Sequence, residues 1–194
     1  AIKSLWGYLD RYALELEVIT TMFSQLTRSA PVEESHKTPF TEAELQTLWE
    51  HSGEEWVDTI LIMLYSGWRI IEFVTLETAN VDLTNQTMKG GVKTRNGKER
   101  IVPIHSAILK FIEQRFNAAS KTFLTDQQGN PMTEEQYRAV FKETLSRFGI
   151  KHNPHETRHT FRTRLDSAGA NKKCIDMMMG HKSKDVGERV YTHT

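Results

Sequence analysis

Apolar residues recur every three to four positions over residues 2–28, where Leu5, Leu9, Tyr12, Leu16 and Ile19 fall along one side of a helix. Residues 29–39, SAPVEESHKTP, break that pattern with a proline near each end and read as a linker. A cap signature follows in Thr41–Glu44: the threonine hydroxyl can accept an early helical N–H, and Glu44 can return a bond. That helix runs to about His51. A second, from about Glu55 to Tyr65, is apolar on most of its faces, which predicts a central position. Gly67 breaks it, and a short helix carries Ile70 to Leu76.

Residues 80–104 change period. QTMKGGVKTRNGKERIVPIH alternates apolar and polar positions and holds Asn96-Gly97, a hairpin-turn pair. Strands are expected at about 86–94 and 99–103. Helical periodicity resumes at about 106–118 and 133–148, separated by a Gly-Asn-Pro loop at 129–131. After Asn153-Pro154 a helix runs to about Ala168, and after Gly169 another covers about Asn171 to Met179, ended by Gly180-His181. A final helical segment carries Tyr191. The pattern predicts a mainly α chain with one small antiparallel β-sheet or hairpin, an α+β class.

Composition changes this picture little. The chain of 194 residues is long enough for one substantial core, and it opens mid-pattern without a Met, as a piece of a longer protein would. No stretch is long and apolar enough to span a bilayer, and Lys3, Asp10 and Arg11 break any signal-peptide pattern at the start. Cys174, the single cysteine, excludes an internal disulfide and reads as a small buried apolar side chain. Met177, Met178 and Met179 read as helix-core and helix-end packing. Net charge is zero, but its distribution is uneven. Residues 33–58 hold eight carboxylates against Lys37, while Lys89, Lys93, Arg95, Lys98 and Arg100 crowd one segment and Arg158, Arg162, Arg164, Lys172 and Lys173 another.

Two chemistries compete for His155-Glu156-Thr157-Arg158-His159. The letters fit H-E-x-x-H, in which two histidines one turn apart bind zinc. They also place Arg158 three residues after His155, which suits a phosphate. The zinc reading needs a third ligand, and the motif starts right after Pro154, at a helix's first turn. Arg158 between the two imidazoles is unfavourable beside a divalent cation.

The phosphate reading finds further parts in order: SGWRIIEF with Arg69, VKTRNGKERIVPI with Lys93, HETRH with His155 and Arg158, MGHKS with His181, and ERVYTHT with Tyr191, ten positions after His181. Together these resemble the catalytic domain of the tyrosine recombinases, the phage-integrase family. The resemblance covers the chain from about residue 38, and the YTHT ending is most similar to integrases of phages and conjugative transposons. It divides the chain into residues 1–30, the last helix of a core DNA-binding domain; 31–39, a linker; and 40–194, the catalytic domain. Trp68 and Thr157 stand where the family usually has leucine.

The resemblance implies a site-specific DNA recombinase that cuts and rejoins strands through a covalent 3′-phosphotyrosine, for integration or excision of a mobile element. Tyr191 would be the nucleophile, Arg69 and Arg158 the stabilisers of the phosphate, Lys93 the general acid, His155 the general base, and His181 a hydrogen-bond donor to the phosphate. Glu72 would brace the site and His159 support it. Lys89, Arg95, Lys98, Arg100 and Arg162 are candidate DNA contacts. No metal or other cofactor is implied. The partner would be double-stranded DNA at attachment or transposon-end sites, bound as a homotetramer on synapsed DNA with a monomer as the DNA-free form. No membrane is involved, and the place of action would be the bacterial cytoplasm at the nucleoid. Rival readings are a type IB topoisomerase-like relaxing activity, a DNA-binding module without catalysis, and the metalloprotease.

Overall fold

The most apolar stretch of the chain forms the middle of the fold. The computed structural model describes residues 38–91 and 99–180, all within the second of two units, Lys37–Thr194, into which the chain divides. Expectations for residues 1–37, for the hairpin tip 92–98 and for 181–194 lie outside the described residues. Helix α1, Glu42–Glu50, starts on the expected box: Thr41 Oγ1 accepts from Glu44 N–H at 3.2 Å and the Glu44 carboxylate accepts from Thr41 N–H at 2.8 Å. Helix α2, Val57–Ser66, buries every residue except Asp58 and Tyr65, as its all-round apolar pattern requires. It packs against α4, Ser106–Arg115, and α6, Pro154–Ser167. Helix α3, Ile70–Val74, packs on α5, Glu134–Ser146. The Tyr137 hydroxyl of α5 donates to Thr59 Oγ1 of α2 at 2.9 Å, which pairs these two hydroxyls inside the core.

A three-stranded antiparallel sheet, ordered β1-β2-β3, flanks the helices: β1 Val81–Asp82, β2 Thr87–Gly90 and β3 Arg100–Pro103. The two expected strands are present but shorter, and β1, two residues long, carries no alternation that a sequence could show. Register pairs Met88 with Val102 and Gly90 with Arg100. Because strand side chains alternate, Arg100 shares the inner face with the fully buried Val102, while Ile101 points outward. Helix α4 ends at Arg115, short of the expected 118.

Helix α7, Lys172–Met179, packs against α6 through Phe161, Ile175 and Met179, a second small apolar cluster. The methionine run divides: Met179 is buried, while Met177 is 65% exposed. Cys174 is also exposed, which corrects the expectation of a buried thiol. It precedes Ile175, the buried position, and so faces away from α6. Among the described residues no helix is long and apolar enough to cross a membrane.

Gly67 closes α2 in the left-handed region, at φ 63°, and a Cβ there would lie 2.4 Å from Cδ1 of Phe161. Gly67→Ala combines backbone strain with a clash against a buried ring. It is expected to cost about 2–3 kcal/mol, more than the ~1 kcal/mol typical of a left-handed position alone. Urea denaturation against the parent chain measures this.

Candidate active site

The corner between α2 and α3 presents Arg69, at the residue just before α3 begins. Glu72, one turn on, accepts from the Arg69 backbone N–H at 2.9 Å and from its Nη1 at 2.8 Å. A second guanidinium reaches the same carboxylate from β3: Arg100 Nη1 donates to Glu72 Oε1 at 2.9 Å and Nη2 to Oε2 at 2.7 Å. The Arg100 guanidinium lies over the Trp68 ring, 4.2 Å from its centroid. Burial alone would raise the Glu72 carboxyl, but the hydrogen bonds and charge of Arg100, then the backbone and side-chain hydrogen bonds of Arg69, bring it down to about 2. It is an ionised, fully enclosed carboxylate. Arg100 is buried too, which removes it from the candidate DNA contacts: its inward register and its fork on Glu72 hold it inside.

Helix α6 supplies the other half. Asn153 accepts the His155 N–H at 2.9 Å, Pro154 occupies the first turn, and the Glu156 carboxylate returns to the Asn153 N–H at 2.7 Å. His152 lies between two carboxylates, with Nδ1 3.0 Å from Glu156 and Nε2 3.3 Å from Glu44, and stacks on Phe40 at 3.9 Å. These contacts anchor the start of α6 to the start of α1. The Thr157 hydroxyl, fully buried, donates to the Pro154 carbonyl at 2.8 Å. One turn into the helix, Arg158 is buried; Nη1 donates to the Gly67 carbonyl at 2.6 Å and Nη2 to the Met179 carbonyl. The Arg158 fork therefore joins the ends of α2 and α7 and lies beside the corner that holds Arg69.

Burial, followed by repulsion from Arg69 and Arg100, lowers the Arg158 pKa to about 9, against a smaller opposing pull from Glu72. It stays cationic at neutral pH. Among the described residues, the Arg69, Arg100 and Arg158 guanidinium groups and the Glu72 carboxylate thus converge with two positive charges in excess. An anion is the partner that such a cluster favours, and guanidinium forks match phosphate oxygens.

The zinc reading loses its base here, because Glu156 is engaged in capping its own helix and in the contact with His152. Among the described residues no three His, Cys, Asp or Glu side chains come together as a metal site. Two described tyrosines are poor nucleophile candidates. Tyr137 is completely buried, with its hydroxyl pushed up by burial, and Tyr65 accepts from Trp49 Nε1 at 3.2 Å.

The structure brings together Arg69, Glu72 and Arg158 of the expected site. His155 stands exposed on the first turn of α6, with half-buried His159 one turn later. Arg162, a further turn along, pairs with Asp166 at 3.6 Å, and Lys89 on β2 pairs with Glu99 at 3.7 Å. Lys93, Arg95, Lys98, His181 and Tyr191 lie outside the described residues. Sequence reasoning missed the roles of Arg100 and His152. The strand alternation from Val102 back to Arg100, and the Asn-Pro-x-Glu cap after His152, were the signals available.

The model of the phage integrase family matches residues 35–194. The tyrosine recombinase XerC of Staphylococcus saprophyticus is 27% identical over 209 residues, covering 99% of this chain and 69% of that protein. XerC of Bacillus pumilus is 29% identical over 214 residues, covering 100% of this chain and 68% of that protein. Among solved structures, the Tn1549 transposon integrase in complex with circular intermediate DNA aligns with a TM-score of 0.73 at 22% identity, over 99% of this chain and 73% of that one. A lambda integrase tetramer bound to a Holliday junction aligns at 0.71 with 16% identity, over 95% and 58%. At these identities the structures establish the shared fold.

The Glu72 carboxyl, held at about 2 against an ordinary 4.5, stabilises the folded chain above pH 4.5, and that contribution fades as pH falls toward 2. A depression of this size is worth roughly 3 kcal/mol. Urea midpoints measured from pH 6 down to 2.5 should fall steeply for the parent chain. Glu72→Gln should flatten that dependence, while lowering stability at pH 7 by about 3–5 kcal/mol because Arg100 loses its buried partner.

Proposed function

We propose that this chain, which belongs to the phage integrase family of tyrosine recombinases, holds a strand-cleaving site at the meeting of α3, β3 and α6. The observation that carries this is the guanidinium-rich cluster in which buried Arg100 and Arg158 meet half-buried Arg69, with Glu72 as the carboxylate among the described residues that balances them. Phosphoryl transfer spreads negative charge over the non-bridging oxygens of the phosphate, and preorganised cations that need not move are the catalysts for it. Arg69 and Arg158 take that role. Arg158 is preset by its two carbonyl bonds and Arg69 by Glu72.

Tyr191 attacks the scissile phosphorus, forming a 3′-phosphotyrosine and releasing a 5′-hydroxyl. The phosphodiester energy stays in that ester, and the reverse attack by a 5′-hydroxyl reseals the strand without ATP. A free tyrosine hydroxyl ionises near pH ~10, so a base is required near neutrality. His155, exposed at the start of α6, is that base. Lys93 protonates the leaving 5′-oxygen, and His181 donates a hydrogen bond to the phosphate. His159, half-buried one turn after His155, is a supporting residue. Lys89, Arg95, Lys98 and Arg162 add backbone contacts that position the duplex without reading sequence. Double-stranded DNA at the ends of a mobile element is the substrate, and a tetramer on two synapsed sites is the assembly that exchanges strands. Acting on a bacterial genome places the work in the cytoplasm at the nucleoid.

A nicked duplex carrying the element's end, mixed with the chain in EDTA at low salt, should yield a covalent protein–DNA species on a denaturing gel. Tyr191→Phe should abolish it, and an undiminished band in that variant would remove Tyr191 as nucleophile. Arg158→Lys keeps a charge but loses the fork, and single-turnover cleavage should slow by about 10²–10³-fold.

A further inference from the structure

Arg100 was expected at the DNA surface and is found in the interior, where it does something the phosphate chemistry needs. The Glu72 carboxylate has its acceptor positions filled from two directions. Oε1 takes Arg69 Nη1 at 2.8 Å and Arg100 Nη1 at 2.9 Å, while Oε2 takes the Arg69 backbone N–H at 2.9 Å and Arg100 Nη2 at 2.7 Å. Arg100 thus engages both oxygens as a fork, and the Arg69 side chain engages one. Without Arg100, Arg69 and Glu72 would form a pair of zero net charge at the point where a phosphate must be met. With it, the three groups carry one positive charge, and the carboxylate still fixes Arg69.

We propose that Arg100 is a positioning residue for strand cleavage: by taking up the Glu72 carboxylate from β3, it lets Glu72 hold Arg69 in place without cancelling the charge that Arg69 offers the scissile phosphate. The inference rests on the phosphoryl-transfer reading above. The seat for Arg100 is specific. Its side chain is 2% exposed, and the guanidinium stacks on Trp68 at 4.2 Å. Gly90, paired with Arg100 across the strands, lets the sheet close on the same ring: a Cβ at Gly90 would stand 3.3 Å from Trp68 Cη2. A lysine would supply the charge but neither the fork nor the flat stack. The arrangement is not the most stable filling of this space, because Arg100 Nε and Trp68 Nε1 are buried without a hydrogen-bond partner among the described residues. Burial excludes a surface contact with DNA, so the remaining rival is a plain structural staple.

Two readouts separate the roles, both with the full chain on the nicked duplex. The first compares Arg100→Met with the parent on an ordinary scissile phosphate and on a methylphosphonate, which lacks one charged non-bridging oxygen. Cleavage by Arg100→Met should fall on the order of 10²-fold on the phosphate, with DNA binding retained. Relative to the parent, the deficit should shrink at least tenfold on the methylphosphonate, where less charge awaits Arg69. The second uses Glu72→Gln with Arg100→Met. Removing the carboxylate removes the need for Arg100, so the double variant should fold and cleave the phosphate about tenfold or more faster than Arg100→Met alone. An equal deficit on both DNAs, or a double variant that folds but regains no cleavage, overturns the inference while leaving the recombinase chemistry standing. Failure of the parent to form a covalent species on either DNA overturns the chemistry, and the inference falls with it.

Discussion

One buried carboxylate holds the site together. Glu72 is fully enclosed, and an ionised carboxyl in that position is untenable without opposite charge and hydrogen bonds to fill its lone pairs. Arg69 comes from the same helix end and Arg100 from the neighbouring sheet, so the demand of a single carboxylate fixes α3 against β3. From there the constraint spreads. Arg100 stacks on Trp68, which lies between Gly67 and Arg69, and the Gly67 carbonyl receives Arg158 from α6. Arg158 also reaches the end of α7 through the Met179 carbonyl. Ionic and hydrogen-bonded links thus run from the sheet through three helix ends, around a patch of surplus positive charge.

The start of α6 shows how one string of letters settles between two chemistries. His-Glu-x-x-His requires a glutamate directed at a bound water, yet Glu156 turns back on Asn153 and His152. The reason is local. Asn153 is a strong cap, Pro154 leaves no N–H to satisfy, and a carboxylate at the third helical position completes the box. The same geometry starts the helix where His155 is exposed and Arg158 is carried inward one turn later. Capping chemistry, rather than any metal, decides which side chains of the motif meet the site.

Much of this was legible in the chain. The apolar run of α2 announced its central place, the Thr41 box announced α1, and the alternation on either side of residues 92–98 announced the paired strands β2 and β3. Arg69 and Glu72 stood out because charges embedded in LIMLYSGWRIIEFV need a purpose, and three residues apart on a helix they face each other. Arg100 was misread because a basic residue just after a hairpin turn usually meets solvent. Its direction depends on register, fixed by the pairing of Met88 with Val102, and no composition argument supplies that. Cys174 was misread for a related reason. On the short helix α7 the buried face is set by what α6 offers, at Ile175 and Met179, and the residue one step earlier is turned outward.

The zero net charge of the chain conceals this site because it sums over distances that a phosphate does not feel. Four of the six carboxylates of the acidic stretch at 42–58 are met locally: Asp58 by Arg115, Glu54 by Arg147, Glu42 by Arg164, and Glu44 by the His152 ring. Exposed charges beyond about 8–10 Å are screened at physiological salt. Those pairs therefore contribute little to the potential at Arg69 and Arg158, where the surroundings are less polarisable and each charge counts for more. At the Glu72 corner the local excess of guanidinium over carboxylate therefore matters more than the sum over the chain, and Arg100 adds to that excess by occupying Glu72.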